Sequence, residues 1–223
     1  MRFEEFAATR LPAVLRFAGV LTADRALAED VVQEVLIRAS GRWDQLDGLV
    51  EATYARFGRV DTLINNAGMS PLYDKLTGVT EKLFDAVINL NLKGPFRLSA
   101  LVGERMVAAG RGSIINVSST GSLRPNGGII PYAAAKAGLN AMTEALAKAY
   151  GPSVRVNTLM AGPFLTDVSK AWNLDAAKGN MFKHLSLQRA GAPAEIVGAA
   201  LFLASDASSF TTGSILRADG GIP

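Results

Sequence analysis

The chain has 223 residues, 49% hydrophobic and 19% charged, with a net charge of +3; this balance fits one good-sized globular core, or one domain with an appendage. It holds no cysteine and one histidine, His184, which excludes disulfides, thiolate catalysis and cysteine-ligated zinc, and argues against a histidine metal site or a Ser-His-Asp mechanism. No apolar run approaches the roughly 18 residues of a membrane span, and Met1–Phe6 carries acidic residues instead of an apolar signal core, so a cytoplasmic protein without a membrane partner is expected.

Charge is uneven along the chain. Residues 1–47 hold six arginines and eight acidic residues, so this part shows no basic footprint for nucleic acid, and the positive remainder is spread without a cluster. Residues 3–21 read as a helix with Phe3, Phe6, Leu11, Val14 and Ala18 on one face, kinked or restarted at Pro12. Thr22 or Asp24 can cap a second helix, whose buried stripe is Leu27, Val31, Val32, Val35, Leu36 and Ala39. Gly41–Asp44 is the expected junction, which makes 1–43 a helical hairpin and 44–223 the main domain.

Asp44 or Asp47 opens a helix reaching Phe57, Gly58 closes it, and Val60–Asn65 is a short buried strand. Thr80 is a good N-cap for a long helix that includes Asn91, continues toward Ala109 and bends at Gly94–Pro95. Ser113–Ser118 is the second strand, running into Ser119. After a Gly-rich loop, Pro131 starts a helix that Gly151 and Pro152 stop beyond Tyr150. Ser153–Leu159 forms a third strand, residues 168–191 are mixed around Trp172, Met181, Phe182 and Leu185, and Pro193 opens a helix over Ile196–Ala204. Gly213–Arg217 is the last strand. Strands alternating with helices predict an α/β fold: a parallel sheet of about four strands covered on both faces. The strand at 60–65 should lie at its edge.

Tyr132 and Lys136 sit one turn apart on one helix face. A phenol has an ordinary pKa of about 10, and a cation held close favours its phenolate, which allows proton exchange near neutral pH. By itself a Tyr-x-x-x-Lys spacing is common on helices and carries no function. The wider pattern is more specific. Asn65, Asn66, Ala67 and Gly68, then Asn91, then Asn116 through Ser119, Tyr132, Lys136, and Val156–Asn157 through Gly162 to Thr166 follow in one order. In that order and spacing, residues from about Gln45 to Pro223 resemble the short-chain dehydrogenase/reductase family.

The resemblance implies a truncated Rossmann-like, doubly wound sheet and NAD(P)-dependent carbonyl/alcohol interconversion on a small molecule. Tyr132 would be the acid/base, with its pKa lowered by Lys136, which would also hold the nicotinamide ribose. Ser119 would position the substrate oxygen, and Asn91 would complete a proton relay through water. Asn65, Ala67 and Gly68 would line the ribose and adenine side; Gly162, Phe164 and Thr166 would hold the carboxamide. His184 falls in the segment that closes over substrate in the family, and is expected to be replaceable. The helices 80–109 and 132–150 are expected to build a homo-oligomer.

Two departures qualify this. Ala161 stands where the family usually has proline. Neither T-G-x-x-x-G-x-G nor G-x-G-x-x-G, the turn whose amides receive the pyrophosphate, occurs in the chain. Loss of two or three charge-assisted hydrogen bonds, about 1.5–3 kcal/mol each, corresponds to at least a roughly hundredfold weaker grip. NAD and NADP cannot be told apart here, and a non-catalytic interaction module is the alternative. Glu4–Phe6, Leu21–Arg25 and Ala28–Glu34, with Arg38 and Trp43, resemble the start of region 2 of extracytoplasmic-function sigma factors, where this helix faces the polymerase clamp; a transcription-related protein is the more remote alternative. A fused or misassigned reading frame would also leave such a junction.

Overall fold

The computed structural model describes residues 43–166 and 182–223; the expected hairpin over 1–43 otherwise lies outside them. Strand β2 (Gly112–Ser119) is paired along both edges, and its successive residues point to opposite faces of the sheet. Ile114 and Ile115 are both completely buried. Ile114 joins a core with Leu63, Val156, Leu98, Val102, Met106, Leu46 and Val50. Ile115 joins a second core with Leu159 and Leu203.

Two layers of helix supply those partners. On the first face lie α1 (Trp43–Phe57), α3 (Gly94–Ala108) and α4 (Ile130–Tyr150); on the second lies α5 (Val197–Ala204). The sheet runs β1 (Thr62–Asn65), β2, β3 (Val154–Ala161), β4 (Ile215–Ala218) in spatial order, with every pair parallel. Among the described residues β1 pairs only with β2, in the register Ile64 opposite Ile115, so the edge position expected from sequence is observed. The α/β, Rossmann-like architecture is as expected.

Local signals placed most boundaries. Thr80 caps α2 (Glu81–Ile88) by accepting the amide hydrogen of Leu83 at 3.2 Å. Gly58 ends α1 with φ +76°, a left-handed conformation that glycine adopts without a Cβ penalty. One expectation needs correction. The long helix is interrupted one turn ahead of Gly94–Pro95, where it widens into a π-helical turn over Asn89–Lys93 and the Gly94 amide reaches back to Asn89 O. The proline ring clashes with the carbonyl four residues earlier, that of Asn91, so the distortion falls on the preceding turn. Pro193 likewise opens a 3-10 turn, Pro193–Ile196, ahead of α5.

Candidate active site

Ser119, the last residue of β2, caps a 3-10 turn by accepting the Gly121 amide hydrogen at 3.1 Å. Ser122 Oγ donates back to the Ser119 carbonyl at 2.6 Å, and Asn140 Nδ2 on α4 donates to Ser122 Oγ at 2.9 Å. The backbone carrying Ser119 is therefore fixed at the carboxyl end of the sheet, where open α/β sheets bind ligands. Across from it stands Tyr132: a Cβ added at Gly121 would lie 3.4 Å from Ser119 Oγ and 3.9 Å from Tyr132 Cε1, so the two side chains flank one point. Lys136 is 3% exposed, donates from Nζ to the Val117 carbonyl at 2.7 Å, and lies 5.8 Å from the Tyr132 ring centroid.

The phenol's acidity departs from expectation. Burial pushes the Tyr132 pKa above its ordinary value, and the Ser119 hydrogen bond opposes this only in part. The Lys136 ammonium is directed to a main-chain carbonyl of β2, and loss of water around the phenol sets the net direction upward.

Asn91 is completely buried in the π-helical turn. Its Nδ2 donates to the carbonyls of Met69 and Val87, both at 2.9 Å, while its Oδ1 is buried without a hydrogen-bond partner. Gly68 closes this corner: a Cβ there would stand 2.8 Å from Asn91 Oδ1 and 3.5 Å from Lys136 Nζ. Gly68, Asn91 and Lys136 thus meet beside Tyr132 and Ser119, with Ala67 next to Gly68 in the half-buried turn after β1.

Asn65 is different. It is 4% exposed, and its Nδ2 donates to Ser99 Oγ at 3.0 Å and Asn116 Oδ1 at 2.8 Å. Asn116 Nδ2 in turn donates to Thr143 Oγ1 at 2.9 Å. The Asn65 side chain thus joins β1 to β2 and α3 from inside, and Asn116 extends the network to α4. Gly162 allows β3 and β4 to close up, since a Cβ would come within 2.5 Å of Asp219 Cα. Phe164 bridges to Gly191, and the Leu165 amide donates to Gly191 O at 2.9 Å, so the turn carrying Thr166 is tied to the chain around Gly191. His184 is exposed. Three contributors were not identified from sequence: the Val117 carbonyl, the Thr143 hydroxyl and Tyr73. Asn116 stood inside the recognised motif, but its partner on α4 is visible only in the fold.

A parallel α/β sheet with this serine, tyrosine and lysine at the carboxyl ends of its strands is the architecture of a Rossmann-like oxidoreductase. A sequence model described as enoyl-(acyl carrier protein) reductase matches residues 19–223, and the chain belongs to the short-chain dehydrogenase/reductase family. It is 39% identical over 180 residues to the 3-oxoacyl-(acyl-carrier-protein) reductase of Thermotoga maritima, covering 80% of this chain and 72% of that one. The counterpart from Synechocystis is 34% identical over 225 residues, covering 97% and 88%. A crystal structure of a gluconate 5-dehydrogenase from Burkholderia cenocepacia, in complex with NADP and tartrate, superposes with a TM-score of 0.78 at 33% identity, covering 82% of this chain and 72% of that one. The family match begins at residue 19, ahead of the Gln45 limit drawn from motifs.

Proposed function

We propose that the chain interconverts a carbonyl and an alcohol with NAD or NADP, using Tyr132 as the acid/base. The observation carrying this reading is the convergence of Ser119 Oγ and the Tyr132 ring on one point beside Gly121, with Lys136 Nζ 5.8 Å from that ring. Two hydroxyl-bearing side chains that flank one point can both reach a substrate oxygen placed there. Ser119, held by its own turn, fixes that oxygen, and Tyr132 delivers the proton in reduction or removes it in oxidation. Lys136 offsets negative charge that develops on the phenol. The nicotinamide, when bound, supplies or accepts the hydride.

The ribose end of such a cofactor fits the corner at Gly68, where only a residue without Cβ leaves room and where the buried Asn91 Oδ1 lacks a donor. Tyr132 and Lys136 would hold the ribose, and Gly68, Ala67 and the Asn65 main chain its flank. Gly162, Phe164 and Thr166 would hold the carboxamide. The pyrophosphate end has no matching Gly-rich turn in the sequence, so this chain should grip its dinucleotide weakly. The same observation favours a second reading, a non-catalytic module that keeps the site. The names of the relatives make a 3-oxoacyl thioester the first substrate class to try. Exposed Ala134, Ala137, Ala141, Ala145 and Ala149 on α4 support close packing of a second copy, as expected for 132–150.

Titration with NADPH and NADH, followed by turnover of an acetoacetyl thioester, tests the proposal. Binding about a hundredfold weaker than in a family member with the Gly-rich turn, together with measurable turnover, is expected. No binding of either nucleotide and no turnover would leave the non-catalytic reading.

A further inference from the structure

Tyr73 lies in the loop between β1 and α2, far from the catalytic helix in sequence. Its hydroxyl accepts the Ile130 amide hydrogen at 2.9 Å and donates to the Gly127 carbonyl at 2.7 Å. Both capacities of the phenol are thus used on main chain. The demand for them is local: α4 begins at Ile130, and its N-cap position is occupied by Ile129, which offers no side-chain cap. The first amides of a helix have no intrahelical acceptor, and an aliphatic N-cap cannot supply one. The loop entering α4, Asn126–Gly127–Gly128, is exposed and glycine-rich; Asn126 closes its turn by accepting the Gly128 amide at 2.9 Å and the Ile129 amide at 3.2 Å, which leaves the Ile130 amide to Tyr73.

Geometry links this cap to the site. Tyr132 lies two residues beyond the capped amide, and the Tyr73 ring lines a small cavity together with Pro71, Leu83, Ile129 and Tyr132. Tyr73 also belongs to the loop that leaves β1 through Gly68, the residue packed against Asn91 and Lys136. One hydroxyl therefore joins the two segments that form the corner.

We propose that Tyr73 is a positioning residue: a remote N-cap that sets the start of α4, and with it the Tyr132 phenol, against Ser119. This rests on the reading of Tyr132 as the acid/base. Loss of the cap leaves Tyr132 on its helix but lets the first turn fray, which misplaces the phenol more than it weakens substrate binding.

The test is Tyr73→Phe in the full chain, which keeps the ring in its cavity and removes both hydrogen bonds. Amide exchange over 126–133 should accelerate about tenfold, the scale of one lost hydrogen bond. Turnover should fall about tenfold, with substrate KM within about twofold. The Tyr132 ring resonance in tyrosine-labelled protein, assigned by its absence from Tyr132→Phe, should titrate at lower pH than in the parent as water reaches the phenol. Faster exchange with unchanged Tyr132 titration and unchanged turnover would make Tyr73 a cap and nothing more, and would overturn the proposal; so would unchanged exchange. If the parent itself shows no turnover, the functional reading fails separately, and the Tyr132 titration still decides the role of Tyr73.

Discussion

Replacing Asn65 with leucine separates scaffold from ligand contact at a residue where the motif implied the latter. Leucine has nearly the same size, so the change removes an amide rather than opening a cavity. Asn65 Nδ2 serves Ser99 Oγ and Asn116 Oδ1, and Ser99 and Asn116 are themselves completely buried. Each buried group left without its partner costs about 1–3 kcal/mol, so Asn65→Leu should cost roughly 2–6 kcal/mol in total. At about 2–4 °C per kcal/mol for a chain of this size, the thermal midpoint should fall by roughly 4–24 °C. Circular dichroism melts give the midpoint, and fluorescence titration with NADPH at a temperature where both proteins are folded gives the affinity. A large fall in midpoint with affinity kept within about threefold is expected, since RT ln 3 is below one hydrogen bond. A midpoint within about 2 °C of the parent, coupled with a marked loss of affinity, would refute the reasoning and return Asn65 to the ligand site.

Tyr132→Phe should lower turnover by about 10²–10⁴-fold, the usual contribution of a positioned proton donor, while circular dichroism and the melt change little. Because burial raises the Tyr132 pKa, oxidation, which needs the phenolate, should speed up as pH climbs beyond about 10, whereas reduction should hold steady below it. Stability from the raised phenols of Tyr54, Tyr132 and Tyr150 is complete below their unfolded pKa and is lost as pH rises through the folded values, so alkaline melts should show it. Glu195, paired with both Arg189 amino groups and the Ala192 amide, has its pKa lowered to about 2; its stabilising contribution is present above the ordinary carboxylate value and is lost as pH falls toward 2. Proteolysis by pepsin near Arg189 should accordingly increase over that interval. Gly162→Ala places a Cβ 2.5 Å from Asp219 Cα and should cost about 1–3 kcal/mol, whereas Gly48→Ala, exposed in α1 with nothing within 4 Å, should gain about 0.5–1 kcal/mol; paired melts compare them. His184→Ala should leave turnover within about twofold, since an exposed histidine makes no claim on the acid/base step.

The sequence by itself determined the order of elements, the parallel sheet, the edge position of β1 and the one-turn spacing of Tyr132 and Lys136. Each rests on something local: the period of apolar residues, a threonine ahead of a helix, a glycine where φ must be positive, a proline at a first turn. Those preferences act within a few residues, so they can be read without knowing what lies across the core. Only the tertiary structure decided that Asn65 faces inward, that Lys136 donates to the Val117 carbonyl, that burial raises the Tyr132 phenol, and that the helix irregularity falls at Asn89–Lys93. It also supplied the Tyr73 cap from a distant loop. A polar side chain carries donors and acceptors, but which of them are used depends on which segments meet. The water lost at that meeting, absent from any local pattern, sets both the hydrogen bonds that must form and the direction in which a buried acid shifts.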